Sequence, residues 1–253
     1  MTLKERYSRL VKYFSETMPD ATTELHYDSP FHLLIAVMLS AQCTDKRVNM
    51  VTPAVFRDFP DVHAMAQTTP EILYPYVKSC GFSAKARNIV AACRVIEERF
   101  GGQVPDTMEA LTSLPGVGRK TASVVLAFAF GKPAMPVDTH VFRVSNRLGL
   151  SQADSVEQTE RQLMALIPEE DWSKAHHWLI YHGRRVCHSQ KPDCRHCTLS
   201  PWCKAHSTVM INPKRDIENR RREKRGAAEG TNEAVEVYPL RIFCRVQCLC
   251  LCC

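Results

Sequence analysis

Three observations predict an all-α fold. Apolar residues recur at helical spacing, as Leu3, Leu10, Val11 and Phe14 do. Capping residues, glycines and prolines punctuate such runs at helix-length intervals. No convincing alternating strand lies between them. With 253 residues, 45% of them hydrophobic and 24% charged, the chain can build one large or two modest domains around a sizeable core.

The elements follow in order. Pro19 closes the first helix. Asp28-Ser29-Pro30 supplies a cap and a first-position proline for an apolar helix through about Leu39. Ser40 to Asp45 interrupts the apolar run, and Thr44 can cap the next helix. Further helices start near Pro70 and Ala84, with the loop Lys78 to Ala86 where they meet. Asp106 is expected to cap a short helix opening at Thr107, with Glu109 completing a capping-box-like pair. Pro115 stops that helix at Leu114.

Gly116 and Gly118 then permit positive φ and close backbone approach, so the turn's amides can point outward together, an arrangement suited to a phosphate. Thr121 to Phe130 reads as one buried helix ended by Gly131 and Pro133. Val141, Phe142, Val144 and Leu148 suit a core-facing helix, whose Arg143 and Arg147 are expected on a solvated side. Asp154 or Ser155 caps another helix, and a last one carries Trp172, Trp178 and Leu179 toward Arg184 and Arg185.

Leu114 to Ala122 is the stretch with chemical content. It is not a P-loop, because position 119 is Arg, nor a dinucleotide fingerprint, because position 121 is Thr. A helix, a Gly-x-Gly hairpin and a helix remain. The chain after Gly131 is long enough to return Asp138 beside Lys120. A lysine desolvated by an apolar helix surface offers an amine for nucleophilic attack, and an aspartate at a helix start is stabilised as an anion. A surface lysine and a capping aspartate remain the alternative at this point.

Charge and cysteines sort the rest. The net charge is +6, but Lys214 to Arg225 holds seven basic and three acidic residues, and residues 226 to 253 hold two and three, which leaves +3 on the body. Charge alone is therefore modest support for a nucleic-acid partner. The longest apolar runs are too short to span a bilayer, and Met1 to Asp20 has no apolar centre of the signal-peptide kind, so a cytoplasmic protein is expected. Twelve cysteines in such a setting suggest metal or free thiols. Cys43, Cys80 and Cys93 read as core residues, and the run Cys187-x6-Cys194-x2-Cys197-x5-Cys203 reads as a metal site. Its compact, uneven spacing does not resemble the two close pairs of a zinc ribbon.

Together, Leu114 to Ala122, Val137-Asp138-Thr139-His140 and the cysteine run closely resemble the helix-hairpin-helix DNA glycosylase superfamily, and within it the endonuclease III family, over residues 3 to 205. The resemblance implies two helical domains with a DNA-binding cleft between them. A six-helix domain with the hairpin would span 24–134, residues 1–23 and 135–205 would form a [4Fe-4S] cluster domain, and 206–253 would be a disordered tail. Lys120 would attack the sugar C1′ and form a Schiff base, Asp138 would activate it, and Cys187, Cys194, Cys197 and Cys203 would hold the cluster.

Gln42, in Leu-Ser-Ala-Gln-Cys-Thr-Asp, would fill the gap left by a flipped base, and Phe82 would be the wedge. Gly116, Val117, Gly118 and Arg119 would meet the DNA backbone, as would Lys191 in the loop from Cys187 to Cys194. The implied activity is a monomeric, nucleoid-associated glycosylase and abasic-site lyase on double-stranded DNA with oxidised pyrimidines or abasic sites. The alternatives are an adenine glycosylase, which lacks the lysine, a non-enzymatic helix-hairpin-helix module, and a zinc-stabilised interaction protein.

Overall fold

The computed structural model describes residues 1–206; the charge run and terminal cysteines of the tail lie outside the described residues. Within them every regular element is helical. The α-helices are α1 (Leu3–Thr17), α2 (Pro30–Ser40), α3 (Asp45–Asp58), α4 (Val62–Gln67), α5 (Pro70–Val77) and α6 (Ala84–Phe100). They continue as α7 (Met108–Thr112), α8 (Arg119–Ala129), α9 (Thr139–Leu148), α10 (Val156–Leu166) and α11 (Trp172–Arg185). None is long and apolar enough to cross a membrane.

The helices bury two separate cores. In α2 every residue from Leu33 to Leu39 is buried, so this helix runs through the first core rather than along it. It packs on α3, α6 and α8, while α4 and α5 pack on α6. The apolar residues of this core run from Leu25 to Ala134. The second core combines Leu10, Phe14 and Ala21 with residues from Met135 to Leu199. Here α9 lies on α11, and Phe14 of α1 stacks on Trp178 at 5.8 Å. Arg6 donates to the carbonyls of Trp202 (3.0 Å) and Gly149 (3.3 Å), which ties the first helix to the last described turn.

Caps set most helix starts as the sequence predicts, with Ser29, Thr44 and Ser155 accepting from amides of the first turn. The start of α7 differs. Thr107 is its cap, accepting from the Ala110 amide at 3.3 Å, and Glu109 then stands one position too early to close a box. Asp106 instead takes the Lys132 ammonium at 2.7 Å.

Arg143 and Arg147 are a larger correction. Neither is solvated; they are 5% and 6% exposed. Arg143 donates to the carbonyls of Cys187, Gly183 and Thr139, and Arg147 to those of His188 and Ser189. The end of α11 and the chain beyond it leave carbonyls without helical donors, and the two guanidiniums supply them.

Candidate active site and metal centre

The hairpin between α7 and α8 is pinned from inside. Leu114 and Val117 are buried, and the Val117 amide donates to the Leu114 carbonyl at 3.1 Å. Val117 is thus an anchor of the turn, and neither its side chain nor its amide faces outward. Gly116 has φ +75°, and a Cβ there would lie 2.7 Å from Asn88 Cβ. Gly118 departs from expectation, since its φ of −87° is open to any residue. A Cβ on Gly118 would meet nothing within 4 Å, so the space beside it is open to an approaching ligand. Among the described residues, the amides of Gly116 and Gly118 have no acceptor within the chain. Arg119 is engaged, its Nε and Nη2 donating to Glu160 at 2.7 and 3.0 Å, which ties α8 to α10.

Lys120, on the first turn of α8, and Asp138, the cap of α9, line one cleft between the two cores, of about 490 Å³ counting its open mouth. Leu25, Val37 and Val124 come to its wall from the first core, and Ile180 and His176 from α11. Asp138 Oδ1 accepts from the amides of His140 and Val141, both at 2.8 Å. Burial pushes its carboxyl up, but the Lys120 charge, with the Val141 amide behind it, outweighs burial and holds it below the usual range. Lys120 itself is exposed, so apolar desolvation is not what acts on it; it stands at the mouth, opposite an anion.

Two histidines missed in the sequence complete the floor. His176 shares its Nδ1 with the Pro136 carbonyl at 2.7 Å, and burial pushes it down to about 3, so it is neutral. Burial lowers His177 also. Their signal was a consecutive pair on a helix otherwise read for its tryptophans. Arg184 pairs with Glu24 (3.3 Å) and Asp45 (3.0 Å) across the cleft rim. Arg185 lies over the Tyr181 ring at 4.7 Å.

Two exposed points stand on the first core's loops. Phe82 is 80% exposed, which is a large apolar surface for one loop residue. Gln42 is exposed and has φ +55°. It and Lys191 (φ +51°) are the non-glycine residues with positive φ among the described residues. Such backbones are uncommon and strained outside glycine.

The four cysteines Cys187, Cys194, Cys197 and Cys203 surround one cavity of about 380 Å³, with Arg147 and His182 in its wall. Among the described residues, no group of His, Cys, Asp or Glu gathers closely enough to grip one metal ion; the thiols ring a space instead. Burial pushes the Cys203 thiol up to about 11 and raises Cys197, so each needs a strong cation beside it to stand as thiolate. Arg147 Nη1 lies 3.5 Å from Cys187 Sγ.

Residues 35–169 match the model of the HhH-GPD superfamily of base excision DNA repair proteins. The chain is 49% identical over 202 residues to Endonuclease III of Synechocystis sp., covering 79% of this chain and 92% of the relative. To Endonuclease III of Escherichia coli K12 it is 43% identical over 209 residues, covering 82% and 99%. Among solved structures, a non-covalent Endonuclease III-DNA complex matches at TM-score 0.79 and 43% identity, covering 84% of this chain and all of the other. A trapped covalent Endonuclease III-DNA intermediate matches at TM-score 0.78 and 43% identity, covering 83% and 100%. Fold, hairpin, cleft and sequence agree: this chain belongs to the HhH-GPD superfamily of base excision DNA repair proteins, within its endonuclease III family.

Proposed function

We propose that this chain excises oxidised pyrimidines from double-stranded DNA and then cuts the abasic site by β-elimination, with Lys120 as nucleophile. The observation that carries the reading is that Lys120 and Asp138, from different cores, face one cleft. The lesion is flipped into that cleft. The Lys120 amine attacks the sugar C1′, and the bond from C1′ to the base breaks with the base leaving. Asp138, held anionic, takes part in deprotonating the lysine and stabilises the cationic sugar. The C1′–O4′ bond then breaks, with O4′ taking a proton as the sugar ring opens, to give the Schiff base; this acidifies C2′, and loss of a C2′ proton expels the 3′ phosphate.

The unpartnered amides of Gly116 and Gly118, with that of Arg119 at the start of α8, hold a backbone phosphate. Gln42 fills the vacated stack and Phe82 wedges the strands; their exposure supports both roles. Cys187, Cys194, Cys197 and Cys203 hold a [4Fe-4S] cluster, whose corners a ring of thiols around a cavity suits better than a single ion. Ligation of these four thiolates would offset part of their negative charge and brace the loop that presents Lys191 to phosphate.

The two cores support domains at 24–134 and at 1–23 with 135–205. One chain completes the cleft, so the protein acts as a monomer, in the cytoplasm where the DNA is. The test is borohydride trapping on a duplex with one oxidised thymine. A covalent complex that vanishes in Lys120→Ala is expected; no complex from cluster-loaded protein refutes the mechanism.

A further inference from the structure

Lys85 lies on the first turn of α6, half-buried, and its ammonium points inward rather than to solvent. Its three N–H groups meet three carbonyls: Leu39 at 2.7 Å, Cys80 at 2.6 Å, and Ala41. A lysine has three donors and no acceptor, so this set saturates it. Leu39 O belongs to the last turn of α2, where carbonyls lack helical donors and carry the negative end of the helix dipole.

The places of those carbonyls in the chain matter more than their number. Ala41 immediately precedes Gln42, and Cys80 lies two residues before Phe82. One ammonium therefore joins the roots of the two exposed points. Gly81 makes the joint possible: its φ is +130°, and a Cβ there would sit 3.4 Å from Lys85 Nζ. The thiol of Cys43, just after Gln42, also lies close enough to that of Cys80 to interact with it, so the two loops neighbour each other beside the lysine.

We propose that Lys85 is a positioning residue for duplex opening. It locks the Gln42 turn and the Phe82 loop into one two-pronged unit, so that both prongs enter the base stack together at a set separation. This rests on the reading of Gln42 and Phe82 as the groups that invade the duplex. Preorganisation of this kind removes an ordering penalty from the bound state, and misplacement of positioning groups by about 1 Å can lower a rate on the order of 100-fold.

The experiment compares single-turnover excision from a damaged duplex with cleavage of an abasic site in single-stranded DNA, where no partner strand must be pried away. Lys85→Met keeps the stem and removes the donors. It is expected to lose on the order of 100-fold on the duplex and to stay within about twofold on the single strand, which also reports that the cleft is folded. In a Gln42→Ala/Phe82→Ala background, already slow on duplex, Lys85→Met is expected to add nothing, because the prongs it places are gone.

Lys85→Arg, which keeps the charge but not three convergent donors, is expected to fall between and serves if Lys85→Met fails to fold. Full duplex activity in Lys85→Met and Lys85→Arg overturns the proposal, as does an undiminished loss in the double-alanine background or an equal loss on the single strand. If the double-alanine protein itself matches the parent on duplex, the reading of the prongs fails instead, and the proposal with it.

Discussion

Replacing Arg143 with Met tests whether the cysteine loop is held from beneath by α9. Arg143 is 5% exposed, and its contacts include Nε and Nη2 to Cys187 O (3.2 and 3.1 Å), Nη2 to Gly183 O (3.1 Å) and His140 Nδ1 (3.0 Å), and Nη1 to Thr139 O (3.3 Å). Thr139 O keeps its helical position, but Gly183 O and Cys187 O lie at and beyond the end of α11, where no helical amide follows. Met fills similar space and donates nothing.

One buried carbonyl and one half-buried carbonyl lose their donors at about 1–3 kcal/mol each, so a loss of about 4 kcal/mol is expected. For a domain of this size that is a fall in Tm of about 8–16 °C, read by circular dichroism. Arg143→Lys, with one small ammonium, is expected to recover about half. Because Cys187 is a proposed ligand, the Met variant is also expected to lose its brown colour on mild heating sooner than the parent. A fall in Tm under about 3 °C with unchanged colour would refute the reasoning, because the guanidinium would then behave as a solvated surface group.

The hairpin separates two glycines. Gly116→Ala is expected to destabilise by about 1–3 kcal/mol through positive φ and the clash with Asn88, whereas Gly118→Ala leaves the urea midpoint unchanged but weakens DNA binding in a fluorescence titration. Asp138→Asn keeps an oxygen for the α9 amides and is expected to hold stability while lowering excision about 100-fold or more; Asp138→Ala adds a loss of about 1–2 kcal/mol of stability in the same melts. His176 has a depressed folded-state pKa of about 3, so below pH 6.5 the unfolded chain binds a proton that the folded chain refuses. Stability is then lost as pH falls from 6.5 toward 3, by about 1.4 kcal/mol per unit from this residue, and urea midpoints of His176→Asn are expected to fall less steeply.

What the sequence determined by itself was local. Helix starts depend on a side-chain oxygen and an amide two or three residues on, so Ser29, Thr44 and Ser155 were legible. The hairpin was legible because Pro115 and Gly116 act on their own backbone, and the four cysteines because their spacing spans only seventeen residues. That Lys120 and Asp138 line one cleft was reachable because a single helix and a short return separate them.

Tertiary structure decided the rest, because a polar side chain's partner cannot be read from its neighbours in the chain. Arg143 and Arg147 have the spacing of a solvated helix face, and carbonyls forty residues away make them interior. Arg119 gives no hint in the sequence of Glu160, forty-one residues on, which its guanidinium meets at 2.7 Å. Lys85 stood in a loop with no signal of its own, and the packing of α6 against the end of α2 added the carbonyls of Leu39 and Ala41 to the local one of Cys80. Backbone groups with no local donor or acceptor must be satisfied from elsewhere, and which side chain arrives is settled only when the helices pack.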